Sequence, residues 1–261
     1  MKIGVFDSGL GGVVIAKALI EALPDYDYVY LGDTQHLPYG EKTSSQVLNY
    51  TLRAIKYLIH QECGLIIIAC NTATAVSLRY LQKRFCPLES PATKVLGVII
   101  PTLEEALQSA PSKIAVIATK ATIRSDIYKT ELQKLLPHTP IFSLATPELV
   151  PAIEHADFHQ ADQVIQKYAP LLKNYPTLIL GCTHYPIIKD LIQKHLPHTH
   201  LIAQNDFMGE KLKTYLARHP EIETHLSHHK TRRFCLTQDS PRYTQVAHQI
   251  DPHLCLEKVQ I

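Results

Sequence analysis

Ile66-Ile67-Ile68-Ala69-Cys70-Asn71-Thr72 and Leu178-Ile179-Leu180-Gly181-Cys182-Thr183-His184 are two versions of one phrase: a short apolar run, a cysteine, then small polar residues. A continuous apolar run of this length, closed by polar residues, reads as a strand buried on both faces, the kind found in parallel sheets. A second echo joins Lys2-Ile3-Gly4-Val5-Phe6-Asp7-Ser8 to Lys113-Ile114-Ala115-Val116-Ile117-Ala118-Thr119. Chance likeness between apolar strands competes as an explanation, but the cysteine shared by both members of the first pair argues for two similar halves.

Working outward, further strands are predicted at Ile3–Phe6, Tyr28–Leu31, Leu65–Ala69, Val95–Val98, Ile114–Ala118, Ile141–Leu144, Leu178–Leu180 and Leu201–Ala203. Between them Val13–Leu23, Ser44–His60, Thr102–Ser109, Ile123–Leu135 and Asp162–Leu172 carry helical periodicity. Strand–helix alternation predicts an α/β fold of two pseudo-symmetric domains with mainly parallel sheets and right-handed crossovers, the first crossing between halves falling near Pro101.

The 261 residues, 46% hydrophobic and 19% charged, suffice for one large or two small cores. A net charge of +2 with scattered Lys and Arg lacks the basic footprint of a nucleic-acid binder. No apolar run approaches the roughly 20 residues that span a bilayer, so no membrane insertion is expected. Six cysteines without a CxxC pair, and no secretory apolar region before Lys2, predict free thiols in a reducing cytoplasm. The group His219, His225, His228 and His229 reads as solvated surface rather than a metal patch.

Ligands of open α/β sheets bind beyond the carboxyl ends of strands, where Cys70 and Cys182 both fall. A following helix N-terminus at each would favour thiolate and lower the cysteine pKa. Nucleophilic catalysis wants one cysteine with a histidine base and an orienting group. A metal site finds only Cys182 and His184, two residues apart, with no second pair. Proton transfer on both faces of one carbon is the reading that requires two equivalent groups. Asp7-Ser8-Gly9-Leu10-Gly11-Gly12 offers a tight turn and free amides for a carboxylate. It lacks the Lys-Ser/Thr ending of a P-loop and the spacing of a dinucleotide fingerprint. Asp33 in Gly32-Asp33-Thr34 reads equally as a site residue or as a plain cap.

Phe6-Asp7-Ser8-Gly9-Leu10-Gly11-Gly12, Gly32-Asp33-Thr34, Pro38-Tyr39-Gly40, Ala69-Cys70-Asn71-Thr72-Ala73-Thr74-Ala75 and Leu180-Gly181-Cys182-Thr183-His184-Tyr185-Pro186 together resemble the bacterial glutamate racemases of the aspartate/glutamate racemase superfamily. The resemblance spans most of the first 190 residues. It implies a first domain of residues 1–97 plus 207–261, a second of 98–206, and an active site in the cleft between them. It also implies that Cys70 exchanges the proton of D-glutamate and Cys182 that of L-glutamate. By the same likeness Asp7 and His184 assist the thiols and Glu154 matches a further acid. Asp7, Ser8, Tyr39, Gly40, Asn71, Thr72, Thr183 and His184 would hold the substrate. Neither cofactor nor metal is implied, and the product would be D-glutamate for peptidoglycan. The resemblance leaves open a homodimer and a peptidoglycan-precursor activator.

Three places depart from the family pattern: Thr146 where Cys is common before Pro147, Ala118 for a frequent glycine before Thr119, and Gln204-Asn205-Asp206 where Asp-Ser-Gly is common. They make substrate affinity less secure than reaction type. A racemase of aspartate or hydantoins shares the same logic. A non-catalytic binding protein, such as one contacting DNA gyrase, is the rival of another class.

Overall fold

The computed structural model describes the backbone of residues 1–261 and every side chain except those of Arg242 and Gln249. Its strands are β1 (Lys2–Asp7), β2 (Tyr28–Gly32), β3 (Cys63–Ile68), β4 (Lys94–Gly97), β5 (Ile114–Ala118), β6 (Ile141–Ala145), β7 (Thr177–Gly181), β8 (His200–Ile202), β9 (Arg232–Leu236) and β10 (Leu256–Lys258). They form two parallel sheets, of order β10-β9-β2-β1-β3-β4 and β6-β5-β7-β8. The α/β architecture and the eight predicted strands are present, each shifted by no more than two residues at either end.

The order β2-β1-β3-β4 is repeated as β6-β5-β7-β8. The strand echoes of the sequence are therefore topological equivalents: β1 matches β5 and β3 matches β7. In each sheet the order reverses between these two strands, which opens a crevice at their carboxyl ends. Asp7 and Cys70 stand at that point in one sheet, Ala118 and Cys182 near it in the other.

Burial explains why the strands read as continuous apolar runs. Alternate residues face opposite helical layers: Val116 and Ile179 belong to one apolar cluster, Ala115, Ile117, Leu178 and Leu180 to another, and Ile66 and Ile68 to a third. The first cluster also takes Ile3, Val5 and Ile67, so it runs through both sheets. Each such fully buried aliphatic side chain contributes about 1.5–3 kcal/mol.

The helix Ser44–His60 starts at a capping box of Thr43 and Gln46, as its sequence allows. The predicted helix Ile123–Leu135 is two helices, Lys120–Arg124 and Ile127–Leu135. Ser125 Oγ bonds to Thr122 O at 2.6 Å and Asp126 adopts φ 55°, and these local contacts break the run. Pro101 sits in the first turn of the helix Ile99–Gln108, where its missing N–H costs no intrahelical bond. Among the described residues no helix is long and apolar enough to cross a membrane.

The unpredicted β9 closes the chain's end onto its beginning by pairing with β2. Asp27 seals this junction, accepting from Thr231 N and Thr231 Oγ1 at 2.7 Å each and pairing with His229 Nδ1 at 2.9 Å. His229 thus has a structural partner, and His228 lies against the Tyr26 ring. Burial opposes ionisation of Asp27, but hydrogen bonds from Ser227, Thr231 and His229 outweigh it and hold the carboxyl below its ordinary 3.8. A depressed folded-state pKa contributes stability above the unfolded value, and that stability is lost as pH falls below it. Asp27→Asn is therefore expected to lower the urea midpoint more at about pH 7 than at about pH 3; an equal loss at both would contradict this role.

Candidate active site

A cavity of about 200 Å³ lies where the carboxyl ends of the two sheets meet. This is below the roughly 300–1,000 Å³ of pockets for drug-sized ligands and suits a smaller molecule. Ser8, Tyr39, Gly40, Cys70, Asn71 and Thr72 line it from the first sheet, and Cys182, Thr183 and His184 from the second. Nine of the eleven site residues predicted from sequence thus face one space. The other two, Asp7 and Glu154, are buried behind its wall.

The two cysteines are held differently. Cys70 is the N-cap of the helix Asn71–Tyr80, its sulfur accepting from Ala73 N at 3.4 Å while its thiol donates to Ser8 Oγ at 3.4 Å. The expected lowering by the helix terminus loses to burial, which with the nearby Asp7 charge pushes the thiol up to about 12. Cys182 precedes the 3-10 turn Tyr185–Ile188, which runs directly into the helix Lys189–His195, so the α-helix begins seven residues beyond the sulfur rather than at it. Its neighbour is instead His184, with Nδ1 at 3.7 Å from the sulfur.

His184 Nε2 makes a short contact with Glu154 Oε1. Burial disfavours the charged ring, but the Glu154 carboxylate and the hydrogen bond to Cys182 outweigh it and raise the imidazole well above its ordinary value. These partners favour the protonated ring, which has the Glu154 carboxyl on one nitrogen and the Cys182 sulfur on the other. Asp7 accepts from Gly9 N at 3.0 Å and from Thr183 Oγ1 at 3.1 Å. Burial raises its carboxyl, against the His184 charge and these donors.

The glycine turn after β1 differs from its sequence reading. Among the described residues no glycine has positive φ, and the Gly9 and Leu10 amides point to Asp7 and Glu154 rather than to an open site. What the turn requires is closeness: a Cβ on Gly11 would come within 2.7 Å of His184 Nδ1 and Thr183 Oγ1. A Cβ on Gly40 would meet Thr119 at 2.6 Å.

Three features of the site go beyond the roles read from the sequence. Thr72, Thr119 and Thr122 form a triangle of hydroxyls, 2.9 to 3.1 Å apart, that bridges the two sheets. Gln204 is fully buried and bonded to Asn71. Asp33 makes no cap bond; its carboxylate accepts from Tyr39 OH at 2.7 Å and Thr237 Oγ1 at 2.8 Å and pairs with His36. The Thr-x-x-Thr of the capped helix at Thr119 was the available signal for the triangle, and Gly32-Asp33-Thr34 was that for Asp33; no short motif announced the amide pairing of Gln204. Of the departures, Thr146 bonds to Tyr185 OH at 2.7 Å, and Thr119 caps the helix that follows Ala118, so both loops are ordered by local bonds.

The model of the Asp/Glu/Hydantoin racemase family matches residues 14–206. A glutamate racemase of Desulforudis audaxviator is 39% identical over 199 residues, covering 74% of this chain and 71% of the relative. Among solved structures, a glutamate racemase isoform from Bacillus anthracis superposes with a TM-score of 0.89 at 30% identity, covering 100% of this chain and 97% of that one. The Francisella tularensis glutamate racemase, solved in complex with D-glutamate, gives 0.87 at 33% identity, covering 99% and 97%. The chain belongs to the Asp/Glu/hydantoin racemase family, and it is an isomerase.

The environment of Cys70 has a chemical consequence. Iodoacetamide is expected to modify the exposed Cys255 well before Cys70, and the Cys70 rate to climb about tenfold per pH unit from about pH 7 to pH 9. Peptide mass spectrometry checks this; a Cys70 rate that levels off below pH 9 would contradict a raised thiol.

Proposed function

We propose that this protein interconverts L- and D-glutamate by proton transfer between two thiols, without a cofactor. The observation that carries the reading is the placement of Cys70 and Cys182 after equivalent strands of two repeated sheets, facing one cavity. An α-carbon seated between them has a sulfur toward each face.

In the L-to-D direction Cys182 acts as the base. Its thiolate takes the α-proton, with the His184 imidazolium as counter-charge and Glu154 holding that charge in place. Cys70, kept as a neutral thiol by burial and Asp7, delivers its proton to the opposite face. One C–H bond breaks, one forms with inverted configuration, and no electrons leave the substrate. The D-to-L direction runs with the roles exchanged. Turnover needs the pair in opposite protonation states, one thiolate and one thiol.

The carbanion must be stabilised by donors aimed at the α-carboxylate in a site shut from water. In this reading Ser8, Asn71 and Thr183 supply those donors, and Tyr39 and Gly40, which line the same cavity, help to enclose the substrate. Thr72 and Thr119, two members of the hydroxyl triangle, line the cavity and can turn a hydrogen toward a second carboxylate, which favours a dicarboxylic amino acid. Glutamate is preferred over aspartate because relatives 34% to 39% identical are glutamate racemases, one of them matched over 97% of both chains. We place the domain limits at 97/98 and 206/207, since β4 ends at Gly97 and β8 at Ile202. In this reading the product serves peptidoglycan synthesis.

Circular dichroism of purified protein with L-glutamate, L-aspartate and hydantoins, without additions, tests the assignment. Ellipticity is expected to decay to zero with glutamate and fastest with it; decay with aspartate alone would move the specificity. Cys70→Ser and Cys182→Ser are each expected to lose at least about a thousandfold in kcat, since an alcohol is a far weaker acid and base than a thiol. Substantial turnover in either would sink the two-thiol mechanism.

A further inference from the structure

Gln204, in the turn after β8, is fully buried and takes no part in the chemistry described so far. Its amide forms a reciprocal pair with Asn71: Gln204 Nε2 donates to Asn71 Oδ1 at 2.9 Å, and Asn71 Nδ2 donates back to Gln204 Oε1 at 3.0 Å. Gln204 Nε2 also donates to Thr102 Oγ1 at 3.1 Å. The Thr102 hydroxyl hydrogen is spent on Val98 O at 2.6 Å and that of Tyr128 on Asn71 Oδ1 at 2.6 Å. Both hydroxyl oxygens therefore face position 204 as acceptors. The position calls for donors on one side and an acceptor on the other, which an amide supplies and a carboxylate or a short side chain does not.

The four groups come from four elements. Asn71 opens the helix behind Cys70, Thr102 lies in the helix Ile99–Gln108, Tyr128 in the helix Ile127–Leu135, and Gln204 in a turn of the second sheet. All four are at most 2% exposed, so water does not substitute for a lost bond. This is also a place where the chain departs from the family pattern.

We propose that Gln204 is a positioning residue for Cys70, its amide tying the residue next to that thiol to the second half of the molecule. It touches no substrate. It sets where the Cys70 sulfur stands relative to Cys182, and the inference rests on the racemisation proposed above. Displacement of a reacting group by about 1 Å costs up to roughly a hundredfold in rate.

The test uses Gln204→Ala and Gln204→Glu in the full chain. Gln204→Ala is expected to lower kcat roughly ten- to hundredfold in both directions, with a smaller change in KM. Gln204→Glu, nearly the same shape, carries the test alone if Gln204→Ala does not fold. When ionised it has no hydrogen to give Thr102 or Asn71; when protonated it has one. Its kcat relative to wild type is therefore expected to be low at about pH 8 and to recover toward pH 6. Tyr128 is the titratable group facing the position, held protonated by burial; Cys70 lies beyond Asn71 and Cys182 beyond Tyr128. Asp206, on the same turn, is paired with Lys189 at the surface. A kcat ratio flat with pH, or wild-type kcat in both variants, would overturn the proposal. The Cys70 alkylation rate reads position without turnover and is expected to change severalfold in Gln204→Ala. If wild type does not racemise and this rate still changes, the functional reading falls and the positioning stands; if the rate is unchanged, the positioning falls.

Discussion

The turn after β1 meets the turn after β7 with no room for a side chain between them, and the rest of the site depends on that contact. Gly9 and Gly11 bring the first sheet's backbone against Glu154, Thr183 and His184 of the second half. Only at this separation does Thr183 reach Asp7 and does the Leu10 amide approach Glu154. On the other side of the cavity the paired amides of Asn71 and Gln204 do the same work with hydrogen bonds. At the site the two sheets of like topology are thus joined by a close backbone approach, by the paired amides and by the hydroxyls of Thr72, Thr119 and Thr122, beside the apolar cluster they share.

A symmetric frame with an asymmetric lining is what the electrostatics produce. Cys70 and Cys182 are equivalent by strand order, but their neighbours are opposite in sign: the carboxylate of Asp7 acts on Cys70, while an imidazolium backed by Glu154 touches Cys182. Burial keeps one sulfur protonated, and a positive charge stands beside the other. In the mechanism proposed above, this asymmetry suits a relay that starts from the L-enantiomer. A catalytic pair in identical surroundings would have no preferred starting state.

Much of this was legible in the sequence because buried parallel strands carry continuous apolar runs, and because both sheets end their third strand in cysteine. The limits of that legibility are equally physical. β9 begins with Arg232 and Arg233 and β10 is three residues long near the sheet edge, so neither has an apolar run to announce it. The split of the helix after Thr119 depends on Ser125 bonding backward to Thr122, a local choice that periodicity does not register. The role expected of the glycine turn was conformational freedom, and the structure uses it for close approach, which requires knowing what lies opposite. Helix dipoles were expected to govern the cysteines, yet burial and neighbouring charges decide, and both are tertiary. Gln204 bonds across the interface to Asn71, so no local pattern marks its role.

The central claim is that two groups, not one, work on opposite faces of the α-carbon. Racemisation of L-glutamate in D2O, stopped at low conversion with the two enantiomers separated, tests it most directly. The account predicts that the D-glutamate formed carries deuterium at the α-carbon, while the recovered L-glutamate remains largely protiated, because the acid that completes the reaction is not the base that began it. Protium retained in the D-glutamate, or deuterium entering both enantiomers equally from the start, would mean a single group swinging between faces and would contradict the account.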